Sequence, residues 1–191
     1  MRYLKEGVFQ IQETLIEEPD EYEIIKQQKE SELRKLILKG ESERLEFKST
    51  LRVCLNKKYP PKFIEHQSFK AIAAFLNSGG GDLIIGVGDD KNIIGLKKDF
   101  ATFSAENKID EFRKHFDNLI ERFLGNQFSN YIELDFIEID DDMVCKVNIK
   151  GKTKEPVFLK YEDKDEFWIR RTGSNKQLGI KEATIYIKDN W

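Results

Sequence analysis

Repeating patterns of apolar residues divide the chain into predicted helices and strands. Apolar residues that recur every three or four positions, with proline, asparagine or glycine at the ends, are typical of amphipathic helices. Four helices are predicted on this basis: residues 20–38, the segment after Pro61 up to Leu76, residues 109–123 and residues 180–189. Residues 1–18 alternate only weakly and predict either a short strand or an irregular arm.

Strands are predicted where apolar residues alternate with polar ones or form short continuous runs. In the segment 44–49, Leu45 and Phe47 alternate with Glu46 and Lys48, so the two charged side chains share one face of the strand. An apolar run over residues 83–87 is typical of a central strand, and residues 93–96 are its predicted hairpin partner. Further strands are predicted over residues 131–139, 143–149, 156–161 and 166–171.

This order of elements predicts one α+β domain built on a single mixed sheet with flanking helices. We expect an N-terminal arm and helix over residues 1–39, as a helical extension, and the domain itself over residues 40–191. The length of 191 residues and the hydrophobic content of 39% are sufficient to bury one sizeable core.

The composition narrows the cellular setting. The two cysteines, Cys54 and Cys145, are too few for a disulfide framework and lie in no metal-binding spacing. No apolar run is long enough for a membrane span, and the N-terminus lacks the pattern of a signal peptide. The sequence therefore predicts a cytoplasmic protein.

The charge pattern indicates a local rather than a general affinity for phosphates. A net charge of -3 argues against a protein that coats nucleic acid non-specifically. Two groups of cations nevertheless stand out as candidate nucleic-acid contacts, although a solvated surface would explain each group alone. The first group is Lys48, Arg52, Lys57, Lys58 and Lys62, and the second is Arg170, Arg171 and Lys176.

Carboxylates near predicted strand ends are candidate metal ligands. Acidic residues in the segments 40–48 and 77–90 could be brought together by a sheet, and Lys48 beside them suits a phosphate. The period of a strand places Glu41 on the face opposite Glu46, so the two converge only if the chain bends near Ser42. The glycines 79–81 lack the lysine and hydroxyl residue of a phosphate loop, and helix termination with close packing explains them.

Several motifs in order resemble those of the Schlafen AlbA-like domain. They are Glu-Ser-x-x-Leu-Glu-Phe-Lys at residues 41–48, Ala-Ala-Phe-Leu-Asn-Ser-Gly-Gly at 73–80, Leu-Ile-Ile-Gly-Val at 83–87, Ile-Ile-Gly-Leu at 93–96 and Phe-Trp-Ile-Arg-Arg-Thr-Gly-Ser-Asn at 167–175. Each motif is short, but their order over residues 40–191 is specific. The resemblance implies the fold predicted above.

The resemblance also implies an activity. Animal Schlafen proteins use such domains as metal-dependent endoribonucleases on tRNA-like substrates, with three carboxylates as the nuclease site. The matching residues are Glu41, Glu46 and Asp89, with Asp90 as the alternative third carboxylate. They would hold Mg²⁺ or Mn²⁺, and Lys48 would stabilise charge on the phosphoryl oxygens.

Three functions remain open at this point. The first is a metal-dependent nuclease acting on structured RNA such as tRNA, with RNA favoured over DNA. The second is a module that binds nucleic acid without cutting it, and the third is a regulatory or assembly domain. Because the animal nucleases close a cleft with two related lobes and this chain has one, a homodimer or larger oligomer is predicted.

Overall fold

The computed structural model describes residues 20–191, and the expected strand or arm over residues 1–18 lies outside them. The helices are α1 (Glu21–Lys39), α2 (Pro61–Leu76), α3 (Lys97–Phe100), α4 (Lys108–Phe123) and α5 (Ile180–Asn190). The strands are β1 (Leu45–Lys48), β2 (Gly80–Ile85), β3 (Ile132–Ile139), β4 (Asp142–Lys150), β5 (Leu159–Tyr161), β6 (Lys164–Arg171) and β7 (Ser174–Leu178). The predicted α+β class is confirmed.

The strands form a four-stranded sheet and a smaller three-stranded sheet. In the four-stranded sheet the order is β1-β2-β4-β3; β1 pairs parallel to β2 and the other pairs are antiparallel. This is the mixed sheet that the sequence predicted. The second sheet, with the antiparallel order β5-β6-β7, is an addition to the predicted single sheet.

The two sheets and the helices stack in layers. Helix α1 covers one face of the four-stranded sheet, where Leu33 and Ile37 pack with Phe47 and Ile84. Helices α2 and α4 cover the opposite face in a core rich in phenylalanine. The second sheet contacts α2, and its far face packs against Ala183 of α5. Helix α2 therefore lies between the two sheets. No helix within residues 20–191 has the length and apolarity needed to span a bilayer.

Strand β2 and the hairpin partner predicted after it both differ from the prediction. Strand β2 begins at Gly80, inside the glycine run. The run has no room for side chains, since a Cβ on Gly81 would lie 2.5 Å from the Phe75 ring. This agrees with the packing explanation of the run. The expected hairpin partner at residues 93–96 is reduced to a single bridge between Val87 and Ile93.

Strand β7 was not predicted. No strand was expected between residue 171 and the last helix, but Thr172 and Gly173 both have positive φ angles, 41° and 83°. Two such residues form the tight turn that joins antiparallel strands, so residues 174–178 return along β6. The hairpin then brings Asn175 next to Arg170.

Candidate nucleic-acid interface

The bend required near Ser42 is present. The backbone of Ser42 donates to Leu45 O at 2.9 Å and accepts from Leu45 N at 3.4 Å, so the chain folds back before β1. Glu41 is thereby placed beside the strand, where its Oε1 accepts a hydrogen bond from Phe47 N at 2.8 Å. Strand β1 lies at the edge of its sheet, and the Glu41 carboxylate satisfies one of its outward N–H groups.

Glu46 lies on the α2 side of β1 and is bonded to two cations. Its Oε2 accepts from Nη1 of Arg170 at 2.6 Å, and its Oε1 accepts from Nζ of Lys48 at 2.6 Å. Glu46 and Lys48 share a face, as predicted. The Glu46 side chain is 10% exposed and that of Arg170 is 1% exposed. Both carboxylate oxygens are therefore engaged, Oε2 in a buried ion pair with Arg170 and Oε1 with the partly exposed Lys48.

Arg170 connects the edge of the four-stranded sheet to the second sheet. Besides Glu46, its guanidinium donates to the backbone oxygens of Ser42 at 2.6 Å and Leu45 at 2.9 Å, and to Oδ1 of Asn175 at 2.9 Å. A buried guanidinium with these partners has no surface from which to contact a nucleic acid. The prediction of Arg170 as a nucleic-acid contact is therefore corrected to a structural role.

The predicted metal ligands do not form a metal-binding group as they are arranged. Across residues 20–191, no three histidine, cysteine, aspartate or glutamate side chains come together as a set that could hold a metal ion. Glu41 bonds to a backbone N–H, and both oxygens of Glu46 bond to cations. The set therefore does not fit Mg²⁺ or Mn²⁺ in this arrangement.

Asp89 and Asp90 differ in a way that the sequence left open. The Asp90 carboxylate accepts hydrogen bonds from the backbone N and the side-chain Nδ2 of Asn92, which close a turn. Asp89 is exposed and lines a cavity together with Lys48. Of the two, Asp89 is the one that lines a cavity shared with Lys48.

Three of the predicted cations form an exposed basic segment, which we define as residues 57–62. Lys57, Lys58 and Lys62 are all exposed, and Tyr59 stands among them with 40% of its surface exposed. The Tyr59 ring stacks on Phe63 of α2 with 4.5 Å between ring centroids. The basic segment therefore combines exposed cations with an aromatic ring that packs on α2.

Arg52 is tied into the structure beneath the basic segment. Its guanidinium lies 5.4 Å from the centre of the Phe103 ring and 3.8 Å from the Glu65 carboxylate. Glu65 is buried and also bonds to His115 and Arg122, each at 2.8 Å. Burial alone would raise the pKa of Glu65, but the hydrogen bonds from His115 and Arg122 outweigh it and lower the pKa below its usual value. Arg52 therefore supports the segment rather than extending its exposed surface.

Asp99 of α3 anchors the start of the loop that carries the basic segment. Its carboxylate accepts hydrogen bonds from three consecutive backbone N–H groups, those of Leu51, Arg52 and Val53, at 2.9, 3.1 and 3.3 Å. Burial raises the pKa of Asp99 above its usual value, and the three N–H donors oppose that shift. Asp99 was not predicted as a site residue, because no local sequence pattern links it to a loop nearly fifty residues earlier.

Replacing Asp99 with asparagine is expected to loosen this loop. The amide keeps one acceptor and turns its NH₂ group toward backbone donors, so buried N–H groups lose partners at a cost of about 1–3 kcal/mol. Urea unfolding should show that loss, and hydrogen exchange at Leu51 and Val53 should accelerate. Asp110→Asn, an exposed aspartate paired with Lys114, is the control. Unchanged exchange in Asp99→Asn would contradict the anchoring role.

Residues of α2 and the second sheet extend the cationic surface beyond the prediction. Lys62 lies 5.3 Å from the centre of the Tyr161 ring, and Lys70 lies 4.7 Å from the Trp168 ring. Burial lowers the pKa of Lys70, and the nearby charge of Lys48 acts in the same direction. Lys70 was not among the predicted contacts, although it is a lone cation eight positions after Lys62 in the helical pattern.

His66 makes the contact between α2 and the second sheet sensitive to pH. Its Nε2 lies 2.8 Å from Oε2 of Glu166, its ring stacks on Tyr161 at 3.7 Å, and its Nδ1 is buried without a hydrogen-bond partner. Burial lowers the pKa of His66 below 6.5, although Glu166 opposes the shift. The protonated imidazole is therefore disfavoured in the folded state.

Stability is expected to fall as the pH drops below about 6.5, the pKa of an unfolded-chain histidine. The unfolded state then takes up a proton that the folded state does not, so the free energy of unfolding decreases until the pH passes the lowered pKa of His66. Urea unfolding over this pH range should show a smaller decrease for His66→Gln than for the wild type. Parallel curves for the two proteins would contradict the assignment.

The remaining predicted cations lie elsewhere. Lys176 pairs with Ile169 across the β6–β7 ladder, on the face that packs against α5, and its ammonium lies 3.2 Å from Glu182. Arg171 is exposed and lies at the end of β6, next to the turn that joins β6 to β7. Another cavity, of about 630 Å³, is lined by acidic residues that include Glu138 and Asp141. Their negative charge disfavours the binding of a phosphate there. The exposed cations of the basic segment are the better interface.

The fold and the sequence both have recognisable relatives. The DIP2311 protein from Corynebacterium diphtheriae has a similar fold, with a TM-score of 0.53 and 16% identity; the similarity covers 86% of this chain and 29% of that one. The N-terminal domain of a RecG-related protein from Nitrosomonas europaea is 14% identical, with a TM-score of 0.45 and coverage of 76% and 92%. No curated protein matches the sequence significantly.

The family model described as "Schlafen, AlbA_2" matches residues 41–179, most of the chain. The match covers the turn at Ser42, strand β1, the basic segment and the β6–β7 hairpin. The chain therefore belongs to the Schlafen AlbA_2 family.

Proposed function

We propose that this protein binds nucleic acid through the basic segment, with Lys48 at the border of the surface. The observation that carries the proposal is the exposure of Lys57, Lys58 and Lys62 in a stretch with no acidic residue between Phe47 and Lys62. Membership of the Schlafen AlbA_2 family supports it. Three clustered ammonium groups suit a phosphate backbone, whose neutralisation releases counterions.

The buried contacts beneath the basic segment support binding rather than simple solvation. Asp99 holds the backbone before it, and Glu65 holds Arg52. A surface fixed in this way loses less conformational entropy on binding than a mobile loop. Because the net charge of the chain is -3, the remainder of the surface should repel the strand and confine binding to this patch.

The binding test uses fluorescence anisotropy with labelled tRNA, single-stranded DNA and double-stranded DNA over a range of salt concentrations. The proposal expects binding that weakens steeply with salt, because phosphate contacts dominate. Absence of binding at low salt, or binding that salt does not change, would overturn it. The preference for RNA over DNA and the homodimer are predictions that the same samples test, the second by light scattering.

Metal-dependent cleavage of the bound strand is the second candidate. The observation that favours it is that Asp89 and Lys48 line one cavity next to the basic segment. Glu46 would have to release Arg170 or Lys48 before it could bind Mg²⁺ or Mn²⁺, because both of its oxygens are occupied by these cations.

Asp89→Asn is the appropriate variant for the cleavage test. Asp89 is exposed, so its replacement leaves the buried contacts of Glu46 intact. Labelled tRNA is incubated with magnesium, manganese or a chelator, and cleavage by the wild type that the chelator and Asp89→Asn both abolish would support the nuclease. Equal cutting by Asp89→Asn and wild type, or none by either, would rule out this role for Asp89. Thermal unfolding with manganese adds a second measurement, since a ligand that binds the folded state raises the melting temperature.

A further inference from the structure

A cavity beside the basic segment has the size of a small-ligand site. Its volume is about 390 Å³, within the range of about 300–1,000 Å³ typical of such sites. The residues around it come from the end of β1, the loop after it, helix α2 and the loop after β2. They include Lys48, Val53, Leu55, Tyr59, Gln67 and Asp89.

The walls of this cavity differ in chemistry. Val53, Leu55 and Ile64 provide apolar surface, whereas Gln67 and Asp89 provide polar groups that can meet the edge of a flat heterocycle. An apolar body combined with a few hydrogen-bonding groups is the usual composition of a site that takes a small ring system. Lys48, whose ammonium also bonds to Glu46, adds a cation to the lining.

Tyr59 supplies an aromatic surface at the same cavity. One side of its ring is supported by Phe63, with the two rings 26° from parallel, and the ring keeps 40% of its surface exposed. The ammonium of Lys58 lies over the Tyr59 ring, 5.2 Å from its centre, so a base that stacks on the ring would displace it toward a flanking phosphate. An aromatic side chain supported on one side and partly open to solvent is a stacking surface for a nucleobase.

We propose that this cavity binds one unpaired nucleobase, stacked on Tyr59, while Lys58 and Lys48 contact the flanking phosphates. The inference rests on the proposed nucleic-acid binding and specifies its substrate class. A base inside a duplex has its faces covered by its neighbours and its edge paired, so it cannot enter the cavity. The preferred ligands are therefore single strands and the loops of folded RNA.

The ring and the cations make separable contributions. The ammonium groups act on phosphates, whichever bases are present, whereas Tyr59 acts only on a base. A strand of abasic deoxyribose phosphates keeps the charge and has no bases at all. The strand therefore cannot shift along the surface to place a different base in the cavity. Removing the bases from the strand and removing the Tyr59 ring from the protein should therefore weaken binding by the same factor. Making both changes together should weaken binding no further than either one alone.

The test measures the affinity of oligothymidylate, an abasic strand of equal length and a blunt duplex for the wild type, Tyr59→Ala and Tyr59→Phe. The wild type should bind oligothymidylate roughly 5- to 150-fold more tightly than the abasic strand, the range for one base–aromatic stack. Tyr59→Ala should bind both strands with the weaker affinity, and Tyr59→Phe should retain most of the difference. Circular dichroism confirms that each variant is folded.

Two results would overturn the inference. One is equal binding of oligothymidylate by the wild type and Tyr59→Ala, and the other is binding of the blunt duplex as tightly as the single strand. In both cases the strands still bind, so the proposed function survives. If none of the three ligands binds the wild type at low salt, the proposed function fails as well.

Discussion

Replacing Lys57, Lys58 and Lys62 together with glutamine is expected to weaken nucleic-acid binding on the order of 10- to 100-fold at physiological salt. The three ammonium groups are exposed and close in sequence, and the substitution keeps their polar, flexible character while removing the charge. Each lost phosphate contact on a single strand lowers the slope of log affinity against log salt by about 0.7, so the slope should decrease by about 2 in total.

The matched control removes the same charge from another surface. Lys35 of α1, with Lys181 and Lys188 of α5, are also exposed lysines, and α5 lies on the far side of the second sheet from α2. This second triple variant has the same net charge as the first, but its salt slope should stay near that of the wild type. Equal slopes for the two triple variants would show that binding depends on net charge rather than on the basic segment.

Replacing Glu46 with alanine is expected to destabilise the protein by about 3–5 kcal/mol, because it leaves the buried Arg170 guanidinium without its counter-ion. A protein of this size loses about 2–4 °C of melting temperature per kcal/mol, so thermal unfolding should shift downward by about 6–20 °C. The same change frees Lys48 from its partner at 2.6 Å. Loss of nuclease activity in this variant would therefore say little about catalysis unless its folding is measured.

An exposed pair provides the control for this effect. Lys150 and Glu133 form an ion pair with most of both side chains in solvent, so Glu133→Ala should cost at most about 1 kcal/mol. Replacing Glu46 with leucine and Arg170 with methionine together should cost less than the two single changes added, since neither charge is then left buried alone. A Glu46→Ala variant as stable as the wild type would contradict the assigned role of this pair.

The helices were largely predictable because their signals are local. The apolar spacing of α1 and α4 and the prolines before α2 placed each of them within about two residues of its observed bounds. Strand β7 was missed, because Ser174–Leu178 has no apolar alternation and exists only as a partner of β6. The opposite error occurred at residues 93–96, an apolar run that forms one bridge rather than a strand.

The candidate site could be predicted only in part, because many of its contacts join residues that are far apart in the sequence. Lys57, Lys58 and Lys62 are exposed, as candidate phosphate contacts must be, and their role in binding stays a prediction. Arg170 looked equally basic in the sequence, yet the side chain alternation of β6 turns it inward, onto Glu46. Tyr59 was present in the same loop, but its value as a stacking surface depends on Phe63 beneath it.

The sequence by itself determined the family, the α+β class and the sharing of one strand face by Glu46 and Lys48, because motif order and a period of two are properties of the chain. Only the tertiary structure decided what those side chains contact. The turn at Ser42 brings Glu41 to the backbone of the edge strand, and the second sheet delivers Arg170 to Glu46 across a separation of 124 residues. Charge partners depend on distance in space, which spacing along the chain does not encode.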